Sequence, residues 1–229
     1  MFLVEHVKAL YRLLNHLYKS EVRILGGNYP LCIHVGDEGE FIKVAEKWNG
    51  KRNIYVGIRD RSEKVRRCAT MWDIVAIQTI VIDLDPQRPK DIPSTDEELK
   101  KAIDVAQHIA DWFKGNGYKE PYIAVTGNGT QLFFSIPRVD VEDKNRYVLQ
   151  DKLQNFEIFL RRKFKDELKK KGVILDSMYD LPRITRVIGT LNVKGKEMPG
   201  RTRRCSKWLI LPTERREDSR LKEFIFGSI

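Results

Sequence analysis

Cysteine is scarce in this chain, and what there is has no pattern. Cys32, Cys68 and Cys205 are odd in number, far apart and without CxxC spacing, so neither a disulfide framework nor a zinc site is expected. The four histidines (His6, His16, His34 and His108) form no HxH or HExxH pattern, which argues against zinc hydrolases and against nucleases built on paired histidines. Each reads as a surface or a satisfied core residue. No apolar run is long enough to cross a bilayer, and the amino terminus lacks the basic start and cleavage site of a signal peptide. A reducing, cytoplasmic setting with no membrane partner is therefore expected. Internal repeats and low-complexity linkers are missing as well. Positive charge, by contrast, is in excess: 42 Lys and Arg stand against 32 Asp and Glu, a formal net charge of +10. Such a balance favours a polyanionic partner, and nucleic acid, nucleotides and anionic membrane all answer to it. At 229 residues with 41% hydrophobic content, the chain can bury a real core and is long enough for an enzyme.

The chain is organised around Thr79 to Pro86, TIVIDLDP. Four apolar or β-branched residues before the first acid predict a strand buried on both faces. Asp83 and Asp85 fall two apart, so in a strand their carboxylates project to the same face. Like charges that close repel unless a cation sits between them, and Mg²⁺ or Mn²⁺ is the usual one, because hard cations take carboxylate oxygens and leave positions open for phosphates. An ordinary strand end with two solvated acids would give the same three letters.

Upstream, Leu3, Val7, Leu10, Leu14 and Leu17 recur at helical spacing and predict an amphipathic helix over residues 2–19. Short strands follow at 21–25 and 31–35, then a helix at 40–48 and a buried strand at 53–58, which delivers Arg59 and Arg61 to a loop. Downstream, Ser94 or Thr95 caps a helix running to about Lys114, with Asp96, Glu97 and Glu98 in its first turn. Residues 122–126 and 131–136 read as a hairpin around Gly127-Asn128-Gly129, closed by Pro137. A long charged helix is expected over 141–171. A strand at 173–175 then presents Asp176, and the segment after it crowds Arg183, Arg186 and Lys194 around Gly189 and Gly195. Arg201, Arg203, Arg204 and Lys207 precede a strand at 208–211, in which Trp208 reads as core, and a last short helix spans 215–226.

Four stretches in fixed order, NIYVGIRDR, IVIDLDP, TGNGTQLFF and ILDSMYDLPRITRVIGTLNVKG, resemble the catalytic core of archaeo-eukaryotic primases, in particular the primase-polymerases. The resemblance covers roughly Asn53 to Gly195. It implies an α/β fold in a single catalytic domain of two modules: a small N-terminal one to about residue 67, and an RNA-recognition-like sheet with flanking helices from about 72 to 229. It implies that Asp83, Asp85 and Asp176 are the catalytic acids and bind the metal ions, a two-metal site for Mg²⁺ or Mn²⁺. Thr126, Asn128, Gln131, Arg183, Arg186 and Lys194 would meet the incoming nucleotide. Arg61 matches a basic residue closing the first module's strand-loop, and with Arg201, Arg203, Arg204 and Lys207 it is assigned to the nucleic acid. One position departs from the family: Gln131 stands where a phosphate-contacting His is expected. Gln donates a hydrogen bond but carries no charge, which lowers nucleotide affinity or turnover, since charge-assisted bonds are roughly twice as strong.

The expected activity is therefore metal-dependent, template-directed nucleotidyl transfer, with primed or single-stranded DNA and nucleoside triphosphates as partners. A helicase or other replication protein would be on a separate chain, and the setting would be the nucleoid or a plasmid. Two alternatives stay open. One is a weak or inactive primase-fold subunit that binds single-stranded nucleic acid or a replisome partner. The other is an unrelated two-metal nuclease.

Overall fold

The computed structural model describes residues 1–227. In chain order the elements are α1 (Val4–Leu14), β1 (Ser20–Leu25), β2 (Leu31–Val35), α2 (Glu38–Trp48), β3 (Asn53–Gly57), β4 (Asp60–Arg61), a 3-10 turn (Met71–Asp73) and β5 (Ile74–Pro86). There follow α3 (Asp96–Gly115), β6 (Tyr122–Val125), β7 (Thr130–Asp140), α4 (Arg146–Lys163), α5 (Lys165–Lys171), β8 (Val173–Asp176), β9 (Ile184–Arg186), β10 (Lys207–Trp208) and α6 (Ser219–Phe226). The fold is α/β, as expected, and its strands are antiparallel in every ladder.

Two sheets share the molecule. The smaller has the order β2-β1-β3-β9, the larger β10-β6-β7-β5-β4, with β8 also on β5. The alternation of β5 explains the layering. Ile80, Ile82 and Leu84 bury against α3 to α6, whereas Val81, with Phe133, Tyr122 and Trp208, packs toward the smaller sheet and α1. The sequence boundary near residues 67–72 is not the sheet boundary. β4 pairs with β5 in the larger sheet, and β9, more than a hundred residues later in the chain, completes the smaller one.

Several elements differ from the sequence reading, each for a local reason. α1 stops at Leu14 because Asn15 adopts a left-handed conformation (φ 49°), and Leu17 is left 62% exposed. The helix expected over 141–171 starts only at Arg146 and breaks at Phe164, whose buried ring packs edge-on against Trp112. β7 runs through Pro137 to Asp140 because the β5–β7 register shifts between Ile77 and Thr79, and that irregularity accommodates a residue without an amide hydrogen. The strand expected over 208–211 is two residues long and leaves Leu209, Ile210 and Leu211 exposed, while Trp208 is buried.

Arg59 and Arg61 are not in a solvated loop: each is 2% exposed. Arg59 donates to the carbonyl oxygens of Asp180 (2.6 Å), Leu181 (3.2 Å) and Met178 (3.0 Å). Arg61 donates to those of Pro182 (3.1 Å), Arg183 (3.3 Å) and Arg59, and its Nε lies 3.6 Å from Glu21. Residues 178–183 form no strand, and the carbonyls of Met178, Leu181 and Pro182 have no backbone donor among the described residues. The two guanidinium forks supply the missing donors.

Cys32 and Cys68 form a disulfide, Cα atoms 5.3 Å apart, which corrects the expectation of unpaired thiols; Cys205 is free. Buried Glu21 explains the meeting. Its carboxylate accepts from the amide of Ala69 (2.9 Å), while Arg23 donates to the Ala69 carbonyl (2.8 Å), so the basic loop folds back onto β1 and β2. Sequence spacing carries no trace of this. Thiol titration of the unfolded, unreduced chain should therefore find one reactive thiol rather than three. The C32S/C68S pair should lower stability by roughly 3–4 kcal/mol, the chain-entropy value for a loop of this length. Three free thiols would show the bond to be absent.

Candidate active site

The register of β5 builds the site. Asp83 is the cross-strand partner of Gln131 on β7 and of Asp176 on β8, so the three side chains lie in one row across the sheet. Asp85, two residues on, projects from the same face, as the spacing predicts. Asp83, Asp85, Gln131 and Asp176 line a cleft of about 580 Å³ between the two sheets. Its far wall is made by Tyr55 of β3 and by Arg183, Thr185 and Arg186. Asp85, Arg88, Asn128, Asp176 and Lys194 also border a second opening of about 350 Å³, beside loop 86–92.

The TGNG turn closes the cleft, and its glycines are dictated by contact. A Cβ on Gly127 (φ 100°) would lie 2.7 Å from Asn192 Cβ and 2.9 Å from the Arg204 carbonyl oxygen, and one on Gly129 would collide with Asp85 and the Leu84 carbonyl. Thr126 Oγ1 accepts from the Gly129 amide (3.1 Å), and Asn128 Oδ1 accepts from the Ser94 amide (3.2 Å). Asn192 of the GTLN segment donates to the Thr126 carbonyl (2.9 Å), tying that segment to the turn.

Of the cations assigned to the nucleotide, Arg183, Arg186 and Lys194 all line the cleft. Arg183 pairs with Asp180 at 3.0 Å. Arg186 is buried, and its Nη2 donates to Asn53 (3.1 Å) and to the Tyr55 hydroxyl (3.0 Å), while its Nη1 has no partner. The cations assigned to nucleic acid are more scattered. Arg61 is interior, a correction already explained by the carbonyls it serves. Arg201 makes a two-pronged pair with Glu98 (2.7 and 2.8 Å) and Arg204 pairs with Asp96 (2.7 Å), so both brace the start of α3. Arg203, which reaches the Gly195 carbonyl, and Lys207 are exposed. Sequence reasoning missed Arg88, 3.5 Å from Asp85, and the cleft-wall residues Tyr55 and Thr185. Arg88 had a signal, three residues after the second acid, whereas Thr185 had none.

Three carboxylates in a partly enclosed cleft repel one another. Burial, then Asp85 and Asp176, push the Asp83 carboxyl up from an ordinary 3.8 to about 8, against the opposing pull of a Gln131 hydrogen bond and of Arg183. Burial and Asp85 also raise Asp176, offset by Arg183, Lys194 and Arg88. An all-oxygen donor set of three acids suits a hard divalent ion. Among the described residues, no three His, Cys, Asp or Glu side chains already stand at ligand spacing. The aspartates fit the group by chemistry and by position on the sheet.

The raised Asp83 value gives a test. The folded chain holds this proton where the unfolded chain has lost it, so the stabilising contribution is full below about pH 4 and is lost as pH rises through about 8. Asp83→Asn removes that loss. With chelator present, its thermal midpoint should exceed that of the parent at pH 8 by several degrees, at about 2–4 °C per kcal/mol for a chain of this size, and the gap should narrow toward pH 4. Equal midpoints at pH 8 would mean that the three acids do not strain one another.

No protein-family model matches the chain, and no curated protein is similar to it in sequence. Solved structures are similar in fold. Against the crystal structure of primase RepB′ the TM-score is 0.50 at 11% identity, over 92% of this chain and 58% of that one. The catalytic domain of the same primase, in complex with initiator DNA, gives 0.50 at 12% identity over 93% and 88%. The polymerase domain of Mycobacterium tuberculosis ligase D, in complex with DNA, gives 0.50 at 12% over 98% and 88%. The chain thus covers 58% of the first of these and 88% of each of the two domains, and its fold is similar to that of primase and polymerase catalytic domains.

Proposed function

We propose that this chain performs template-directed nucleotidyl transfer on DNA, dependent on a divalent metal ion, as a primase or primer-extending polymerase. The observation that carries the reading is the row of Asp83 and Asp176 across β5 and β8, with Asp85 on the same face, at a cleft walled by Arg183, Arg186 and Lys194. Asp83, Asp85 and Asp176 would hold Mg²⁺ or Mn²⁺. Such ions, when bound, lower the pKa of the attacking hydroxyl and neutralise charge on the departing pyrophosphate.

The chain's own residues do the positioning. Arg186 lines the cleft, and its buried Nη1 has no partner, a donor that an anionic oxygen reaching it would complete. Lys194 borders both openings and Arg88 sits beside Asp85, so a triphosphate lying across the aspartates would meet cations on each side. The TGNG turn lets backbone amides approach phosphate closely. Exposed Arg203 and Lys207, with the net charge of +10, supply cations for a template backbone. The fold likeness to a primase domain bound to initiator DNA and to a polymerase domain bound to DNA supports DNA as that template. One observation favours a weakly active or purely binding subunit instead: the side chain at the family's His position is uncharged Gln131, and it already bonds to Thr185.

Incubation with primed template, nucleoside triphosphates and Mg²⁺ or Mn²⁺ separates the readings. Strands should lengthen with the parent chain, and lengthening should fall to background in Asp83→Ala and Asp176→Ala. Shortened strands would indicate a nuclease, and unchanged strands with retained DNA binding a docking subunit. Lengthening that survives in both variants would remove these acids from the reaction.

A further inference from the structure

We infer that Gln131 is a positioning residue for the Asp83 carboxylate, oriented by Thr185, and not a phosphate contact. The inference rests on the proposed metal-dependent reaction and concerns how the ligand acid is held. Gln131 and Asp83 are directly opposed on β7 and β5. Side chains of opposed residues leave the same face with Cβ atoms about 4.5–5.5 Å apart, within reach of an amide–carboxylate hydrogen bond. Gln131 is 4% exposed and Thr185 1%, so both polar groups need internal partners.

The partners are arranged in series. Thr185 Oγ1 donates to Gln131 Oε1 at 2.7 Å, which leaves the Gln131 amino group as the donor available to Asp83, its cross-strand partner. With an ion bound Asp83 is a carboxylate, and the opposite amide orientation would then set the carbonyl oxygen against it, acceptor facing acceptor. Thr185 is on β9, the strand that the 178–186 segment contributes to the smaller sheet, whereas Asp83 and Gln131 belong to the larger sheet. The relay Thr185–Gln131–Asp83 therefore runs across the cleft floor from one sheet to the other. With one oxygen of Asp83 held by the amide, the other would be left for the ion. Hydrogen-bonded partners of this kind govern metal affinity, and their loss typically lowers it 10–100-fold.

The test is Mn²⁺ affinity measured by electron paramagnetic resonance, alongside binding of a fluorescent nucleoside triphosphate in chelator. Gln131→Ala and Thr185→Val should each weaken Mn²⁺ binding about tenfold or more, and Thr185→Ser, which keeps the hydroxyl, should restore it. The double variant should be no worse than Gln131→Ala alone, because Thr185 acts through the amide. Nucleotide binding in chelator should be unchanged in all of these and weakened in Lys194→Ala. Loss of nucleotide binding in Gln131→Ala with Mn²⁺ affinity intact would make Gln131 a phosphate contact and overturn the inference. Parental Mn²⁺ affinity in Gln131→Ala and Thr185→Val would overturn it as well, leaving the metal-dependent reading standing. A parent chain that binds no Mn²⁺ would overturn both.

Discussion

Repulsion among three carboxylates at one end of β5 is the constraint that the rest of the structure serves. A strand with Asp83 and Asp85 on one face, paired to a second strand that ends in Asp176, concentrates negative charge on one side of the cleft. Folding tolerates this because β5 is anchored elsewhere. Its other face is committed to a continuous apolar core under four helices, and its first half is paired along β4 and β7. The strain is local, and the apolar burial that offsets it is spread along the whole strand.

The wall opposite the acids is held by a different device. Residues 178–183 leave β8 and cross to β9 without a ladder of their own, and Arg59 and Arg61 bind their carbonyls from below. These arginines are structural in this fold. Burial pulls Arg59 down to about 9 and Arg61 to about 10, still above neutrality, so both stay charged while their Nη donors are used on neutral oxygens. Their forks hold the segment that joins β8, which carries Asp176, to β9, which carries Thr185 and Arg186.

Much of this was legible from local pattern. Period-two alternation gave the face shared by Asp83 and Asp85, a cap at Ser94 or Thr95 followed by three acids marked the start of α3, where the structure has Thr95 as the cap, and the TGNG turn marked the β6–β7 hairpin. Position in the molecule was legible wherever chain neighbours decide it. What escaped depends on residues distant in sequence. Arg59 and Arg61 read as surface charges because the carbonyls that bury them lie about 120 positions away. The disulfide was invisible because Glu21 and Arg23, not cysteine spacing, fold the basic loop back. Arg201 and Arg204 looked like a template-facing run, yet acids at the head of α3 claim them. A phosphate role for Gln131 follows from the family's pattern, whereas its hydroxyl partner on β9 is visible only in three dimensions.

The late arrival of β9 has a consequence for how the molecule is made. During synthesis the smaller sheet has β1, β2 and β3 available early, but the edge of β3 that faces the cleft finds its partner only after residue 186 has left the ribosome. Until then that edge offers unpaired amides and carbonyls to any neighbouring chain. The amino-terminal third is thus an unfinished layer rather than an autonomous folding unit, and closing it requires a contact spanning more than half the chain, the kind of topology that folds slowly.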